Sequence, residues 1–75
     1  TPITPSELTG STIRLLLTKR RCTQTDLARA LGVTQPAISA RLRGSVAFDI
    51  NELVAVAEFL DVPLPSLLPA DKAAS

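Results

Sequence analysis

Apolar residues recur along the chain at the spacing of amphipathic helices, and capping residues and helix breakers divide the stretches from one another. Ile13, Leu16 and Leu17 fall on one face of a first helix that runs to about Arg20. Its start is ambiguous. Thr4-Pro5-Ser6-Glu7 offers a capping residue, a proline at the first helical position and an acid at the third, but Gly10 then weakens the pattern and allows a later beginning. Thr23-Gln24-Thr25-Asp26 reads as a capping box, with Leu27, Ala28 and Leu31 as the inner stripe of a second helix and Gly32 as its stop. Only Val33 separates that glycine from Thr34, the next N-cap. Pro36 then sits in the first turn of a third helix, where the missing amide does no harm, and Ile38 and Leu42 face inward before Gly44.

A third capping box, Asp49-Ile50-Asn51-Glu52, opens a fourth helix with Leu53, Val56, Ala57 and Leu60 inward. Asp61-Val62-Pro63 breaks it, and Leu64 to Leu68 can supply a final turn before Pro69. No period-2 alternation and no internal repeat is present. The pattern therefore predicts an all-α domain of five helices over residues 6–69. Residues 1–5 are expected to be an N-terminal arm or a cloning remnant, and residues 70–75 a flexible tail or the start of a linker.

Composition narrows the function. Seventy-five residues allow one core, and a domain of this size needs nearly every apolar stripe for packing. With one cysteine and no histidine, an intrachain disulfide, a Cys/His zinc site and a Ser-His or Cys-His nucleophile all lack their parts. No catalytic, cofactor, metal or small-molecule site is expected, so the reading is a binding module rather than an enzyme. No apolar run approaches the ~20 residues of a membrane span. The net charge is only +1, but the charges are segregated. Residues 14–43 hold seven basic side chains against Asp26 alone, while the rest of the chain holds Lys72 against six acids. Such a division suits either one face presented to a polyanion or two ordinary solvated faces.

Two short helices joined by a tight glycine-containing turn form a helix-turn-helix, here residues 23–43. Ala28 is small where the helices cross, Gly32 makes the turn, Val33 plugs the space beneath it and Ile38 anchors the second helix. The outer face of that second helix is then free to enter a DNA major groove. The run TQTDLARALGVTQPAIS, the Gly44 stop and the later AEFLDVPLPSLL resemble the lambda-repressor-like family of helix-turn-helix domains, the Cro or xenobiotic-response-element type, over roughly Ile13 to Leu68.

That resemblance implies a compact five-helix DNA-binding domain of a transcriptional regulator, a repressor above all, that binds double-stranded DNA as a homodimer. The expected setting is cytoplasmic, on a bacterial or phage nucleoid. Gln24 matches a glutamine that contacts a phosphate and braces the first glutamine of the third helix. Gln35 matches that second glutamine, and its amide can pair with both N6 and N7 of adenine. Pro36 and Ala37 occupy the next groove-facing positions, Ser39 and Ala40 are smaller contributors, and Thr34 and Ser45 are expected on phosphates. Arg43 matches a position near the backbone. Arg41 stands where the family carries an apolar residue and is expected to swing outward toward phosphate. Two further departures stand out. Leu17 and Leu42 replace the family's arginine–glutamate pair, and Arg21 replaces a turn glycine, which implies strain there or a different turn.

Several residues keep two readings. Cys22 is a core thiol or a redox sensor, with the first favoured. Lys19-Arg20-Arg21 is a solvated face or a phosphate clamp, while Arg14, Arg29, Glu52 and Glu58 read as surface charges. Leu64, Leu67 and Leu68 are core residues or a dimer contact. The competing function for the whole domain is a protein-interaction module of the same fold, of antitoxin or adaptor type.

Overall fold

A computed structural model describes residues 3–68. Four α-helices follow one another, α1 (Pro5–Lys19), α2 (Gln24–Leu31), α3 (Gln35–Arg43) and α4 (Ile50–Leu60), and a 3-10 turn at Leu64–Leu67 closes the order. The described residues contain no strand. The expected fifth helix is thus a single 3-10 turn. Leu68, which precedes a proline in the sequence, is extended (φ −87°, ψ 153°), so the segment stops after one turn. The expected tail, 70–75, lies outside the described residues, as do the first two residues of the expected arm.

Of the starts the sequence allows for α1, the earlier is the one taken, at Pro5. Thr4 caps it: the Glu7 amide donates to Thr4 Oγ1 at 3.1 Å and the Thr4 amide donates to Glu7 Oε1 at 2.8 Å. Gly10 does not interrupt the helix. It is buried where α1 crosses α3, and a Cβ there would run into the backbone carbonyl of Leu42.

All four α-helices end alike. One residue turns left-handed, and the next amide reaches back five residues, the arrangement that satisfies otherwise orphaned carbonyls. The pairs are Cys22 to Leu17, Val33 to Ala28, Ser45 to Ala40 and Val62 to Ala57, at 2.9–3.0 Å. Gly32 (φ 73°) and Gly44 (φ 85°) take the left-handed position without steric cost. At the other two ends it falls on Arg21 (φ 57°) and Asp61 (φ 58°), where a side chain must be tolerated.

The core gathers Ile13 and Leu17 from α1, Leu27 and Ala28 from α2, Ile38 and Leu42 from α3, Leu53, Val56, Ala57 and Leu60 from α4, and Leu67. Leu17 and Leu42 are both buried in it, so an apolar pair occupies the place of the family's ion pair, an exchange that need not cost stability. Cys22 is half-buried against this core, and its thiol lies 3.6 Å from the Arg20 carbonyl. Among the three C-terminal leucines, Leu67 is buried, Leu64 partly so and Leu68 exposed.

Candidate nucleic-acid interface

Gln24 is the first residue of α2 and Gln35 the first of α3. The intervening turn, pinned by Gly32 and by Val33 packed on the core, sets the two helix starts side by side. Gln35 Nε2 donates to Gln24 Oε1 at 3.2 Å. One amide hydrogen and the carbonyl oxygen of Gln35 are left over by this bond, which is the donor–acceptor pair that an adenine edge accepts.

The start of α3 is distinctive in its charge. Glu7, Asp26 and Glu52 place a carboxylate in the first turn of α1, α2 and α4, each completing a capping box. At α2 the Thr23 backbone and side-chain hydrogen bonds hold the Asp26 carboxyl below the ordinary aspartate range. Helix α3 has no such acid. Thr34 Oγ1 accepts from the Ala37 amide at 3.3 Å, but the reciprocal partner is a methyl group. The positive pole of this helix is left uncompensated by its own side chains.

Along α3 the helical repeat separates the inward residues Ile38 and Leu42 from Pro36, Ala40 and Arg43 on the far side. Gln35, Pro36 and Arg43 are exposed, and Ala37, Ser39 and Ala40 are partly so. Arg43 donates from one terminal nitrogen to Ser39 Oγ at 2.9 Å, so two expected contact residues share one ridge. Thr34 and Ser45 are exposed at the two ends of α3. Nine of the ten expected contact residues therefore lie on or beside one surface, that of α3 and the start of α2.

Arg41 is the exception, and its expected outward swing is corrected. Its Nε donates to Glu52 Oε1 at 3.0 Å and a terminal nitrogen donates to the Ala37 carbonyl at 3.2 Å. Glu52 is accordingly not a simple surface charge. The pairing joins α3 to the cap of α4, eleven residues on, and no local pattern in the sequence signals it.

Beyond Arg43, the basic side chains Arg14, Lys19, Arg20, Arg21 and Arg29 are also exposed. Among the described residues, no group of three His, Cys, Asp or Glu side chains converges to hold a metal ion. No helix there is long and apolar enough to cross a membrane.

The family model for the helix-turn-helix matches residues 13–67, and the chain belongs to this family, in its lambda-repressor-like branch. Several solved structures share the fold. The P22 c2 repressor protein, solved in complex with a synthetic operator, is 30% identical with a TM-score of 0.76, and the match covers 85% of this chain and 97% of that one. The restriction-modification controller protein C.AhdI from Aeromonas hydrophila is 23% identical with a TM-score of 0.76, covering 81% of this chain and 92% of its own. HppE, solved with cobalt and substrate, is 21% identical with a TM-score of 0.79, but the likeness spans only 37% of that chain. No curated protein matches the sequence at a significant level.

Proposed function

We propose that this domain reads double-stranded DNA in sequence-specific fashion for a transcriptional regulator, in the manner of a repressor. In this reading α3 lies in the major groove and two copies share one site. The observation that carries it is the amide pair of Gln24 and Gln35 at the starts of two helices. In a structural role alone, an exposed Gln35 and a half-buried Gln24, eleven residues apart, have no need to meet. In a reading role the pairing fixes the Gln35 amide before the base arrives, which reduces the entropy lost on binding.

Membership of the family, the exposed arginines and the acid-free start of α3 all support this reading. So does the operator complex of the P22 c2 repressor, the most identical of the neighbours described. The proposed binder is not an enzyme; in HppE the shared fold makes up a minor part of a longer chain.

Within that reading Gln35 contacts a base edge, Ala37 a thymine methyl, and Gln24, Thr34, Arg43 and Ser45 the phosphates. A second reading, a protein-interaction module, draws support from Ile50, Val54 and Leu68, which expose apolar surface on and after α4.

Selection of sites from a random duplex pool, followed by binding at several salt concentrations, tests the proposal. The expected product is a sequence with two related half-sites about 10 base pairs apart, bound with an affinity that falls steeply as salt rises. No enrichment, or binding indifferent to salt, would favour the protein-interaction module instead.

A further inference from the structure

Arg41 lies on the flank of α3, between the inward Ile38 and Leu42 and the outward Ala40, one turn after Ala37. It carries a full positive charge beside the surface assigned above to DNA, yet it is folded back. Its Nε lies 3.0 Å from Glu52 Oε1, and the two side chains are only 20% and 16% exposed. The same Glu52 oxygen accepts the Asp49 amide at 3.0 Å, while the Glu52 amide donates to Asp49 Oδ1 at 2.7 Å. The carboxylate is thus pinned by the cap of α4 and does not depend on Arg41 for its position. Arg41 is the movable partner. With α3 in the groove as proposed above, an arginine released on this flank would add a phosphate contact. Phosphate contacts strengthen binding to every sequence alike and carry no sequence information.

We propose that Glu52 is a positioning residue that holds Arg41 away from the DNA backbone, so that the ion pair limits sequence-independent affinity and preserves discrimination by α3. The inference rests on the DNA-reading function proposed above. Arg43, two residues on and exposed, is held only by the Ser39 hydroxyl and remains available to phosphate. The chain therefore carries one arginine committed to the backbone and one withheld from it. Glu52→Gln keeps an acceptor oxygen for the Asp49 amide while removing the charge that retains Arg41.

The test compares the wild-type domain with Glu52→Gln, Arg41→Ala and the double variant, on the selected site and on an unrelated duplex, across a salt series. Thermal melts confirm that each is folded. Glu52→Gln is expected to steepen the slope of log affinity against log salt by about 0.9, one additional phosphate, and to bind the unrelated duplex more tightly. Arg41→Ala alone leaves the wild-type slope unchanged, and the double variant returns to it. A slope already lowered by about 0.9 in Arg41→Ala would show that Arg41 sits on a phosphate in the wild type, and the proposal would fall. Equal slopes for Glu52→Gln and the double variant would also overturn it, because loss of a nearby negative charge alone would then explain the gain.

Should Glu52→Gln not fold, the Arg41 Nε–H resonance of the wild type is followed during titration with the unrelated duplex. An unmoved signal supports retention on Glu52, and transfer to phosphate contradicts it. A wild-type domain that binds no duplex at all defeats the DNA reading itself, a result distinct from a domain that binds normally with a flat cycle.

Discussion

A glycine inside a helix costs about 1 kcal/mol relative to alanine, yet Gly10 sits in the second turn of α1. Its position explains why. The missing Cβ lets α1 approach the Leu42 carbonyl of α3, and at the end of α3 Gly44 is pressed in the same way against Glu7. Glycines at both sites allow the N-terminal half of α1 to lie close on α3 and support its orientation. Propensity alone says that Gly10→Ala should stabilise. The packing says the reverse, because the clash is with backbone and cannot be relieved by a rotamer change. Denaturant unfolding of Gly10→Ala is expected to show a loss of about 1–3 kcal/mol. A gain of about 1 kcal/mol would mean that the helices are not held so closely.

At the scale of elements, α3 is the helix whose cap is left incomplete. A glutamate at position 37 would complete a box with Thr34, and the first turns of the other three helices all carry such an acid. Ala37→Glu should therefore raise stability by roughly 0.3–1 kcal/mol while setting a negative charge where phosphates are to approach. Melting temperature and DNA affinity measured on the same variant are expected to move in opposite directions, with binding reduced more than tenfold. Undiminished binding would move the interface away from the start of α3.

The same elements show what the chain announces in its sequence. Thr23, Thr34, Asp49, Gly32 and Gly44 mark helix boundaries by local chemistry, and the helices begin and end at them. The start of α1 was ambiguous, since the reason for Gly10 lies on another helix. The 3-10 turn reads as a fifth helix because its leucines repeat correctly, although the chain turns extended at Leu68, ahead of Pro69, after a single turn. Arg41 is expected outward because a charge stands where the family carries an apolar residue, and it is instead folded back. Its partner Glu52 comes within reach only through the path of the 44–49 loop, which no spacing rule supplies.

Over the whole molecule, charge and exposure separate in the same direction. Exposed arginines and a lysine come from α1, α2, α3 and the turn after α1, while residues 44–68 contain acids and no basic side chain. Exposed Ile50 and Val54 lie one turn apart on α4, a surface that offers a second copy or another partner an apolar contact. In the proposed function the basic half of the chain, with the Gln24–Gln35 pair at the starts of α2 and α3, faces DNA, and the acidic, partly apolar half is left to face protein. The decisive measurement is a double-mutant cycle of Gln24→Ala and Gln35→Ala on the selected site and its three single-base variants at the pair assigned to Gln35. Gln35→Ala should lose about 1–3 kcal/mol on the preferred pair and far less on the others, flattening selectivity. Gln24→Ala should weaken all four duplexes, and the combined loss should fall short of the sum, as expected of residues in one hydrogen-bonded unit. Equal losses on all four duplexes for Gln35→Ala would show that this residue holds the backbone and reads no base.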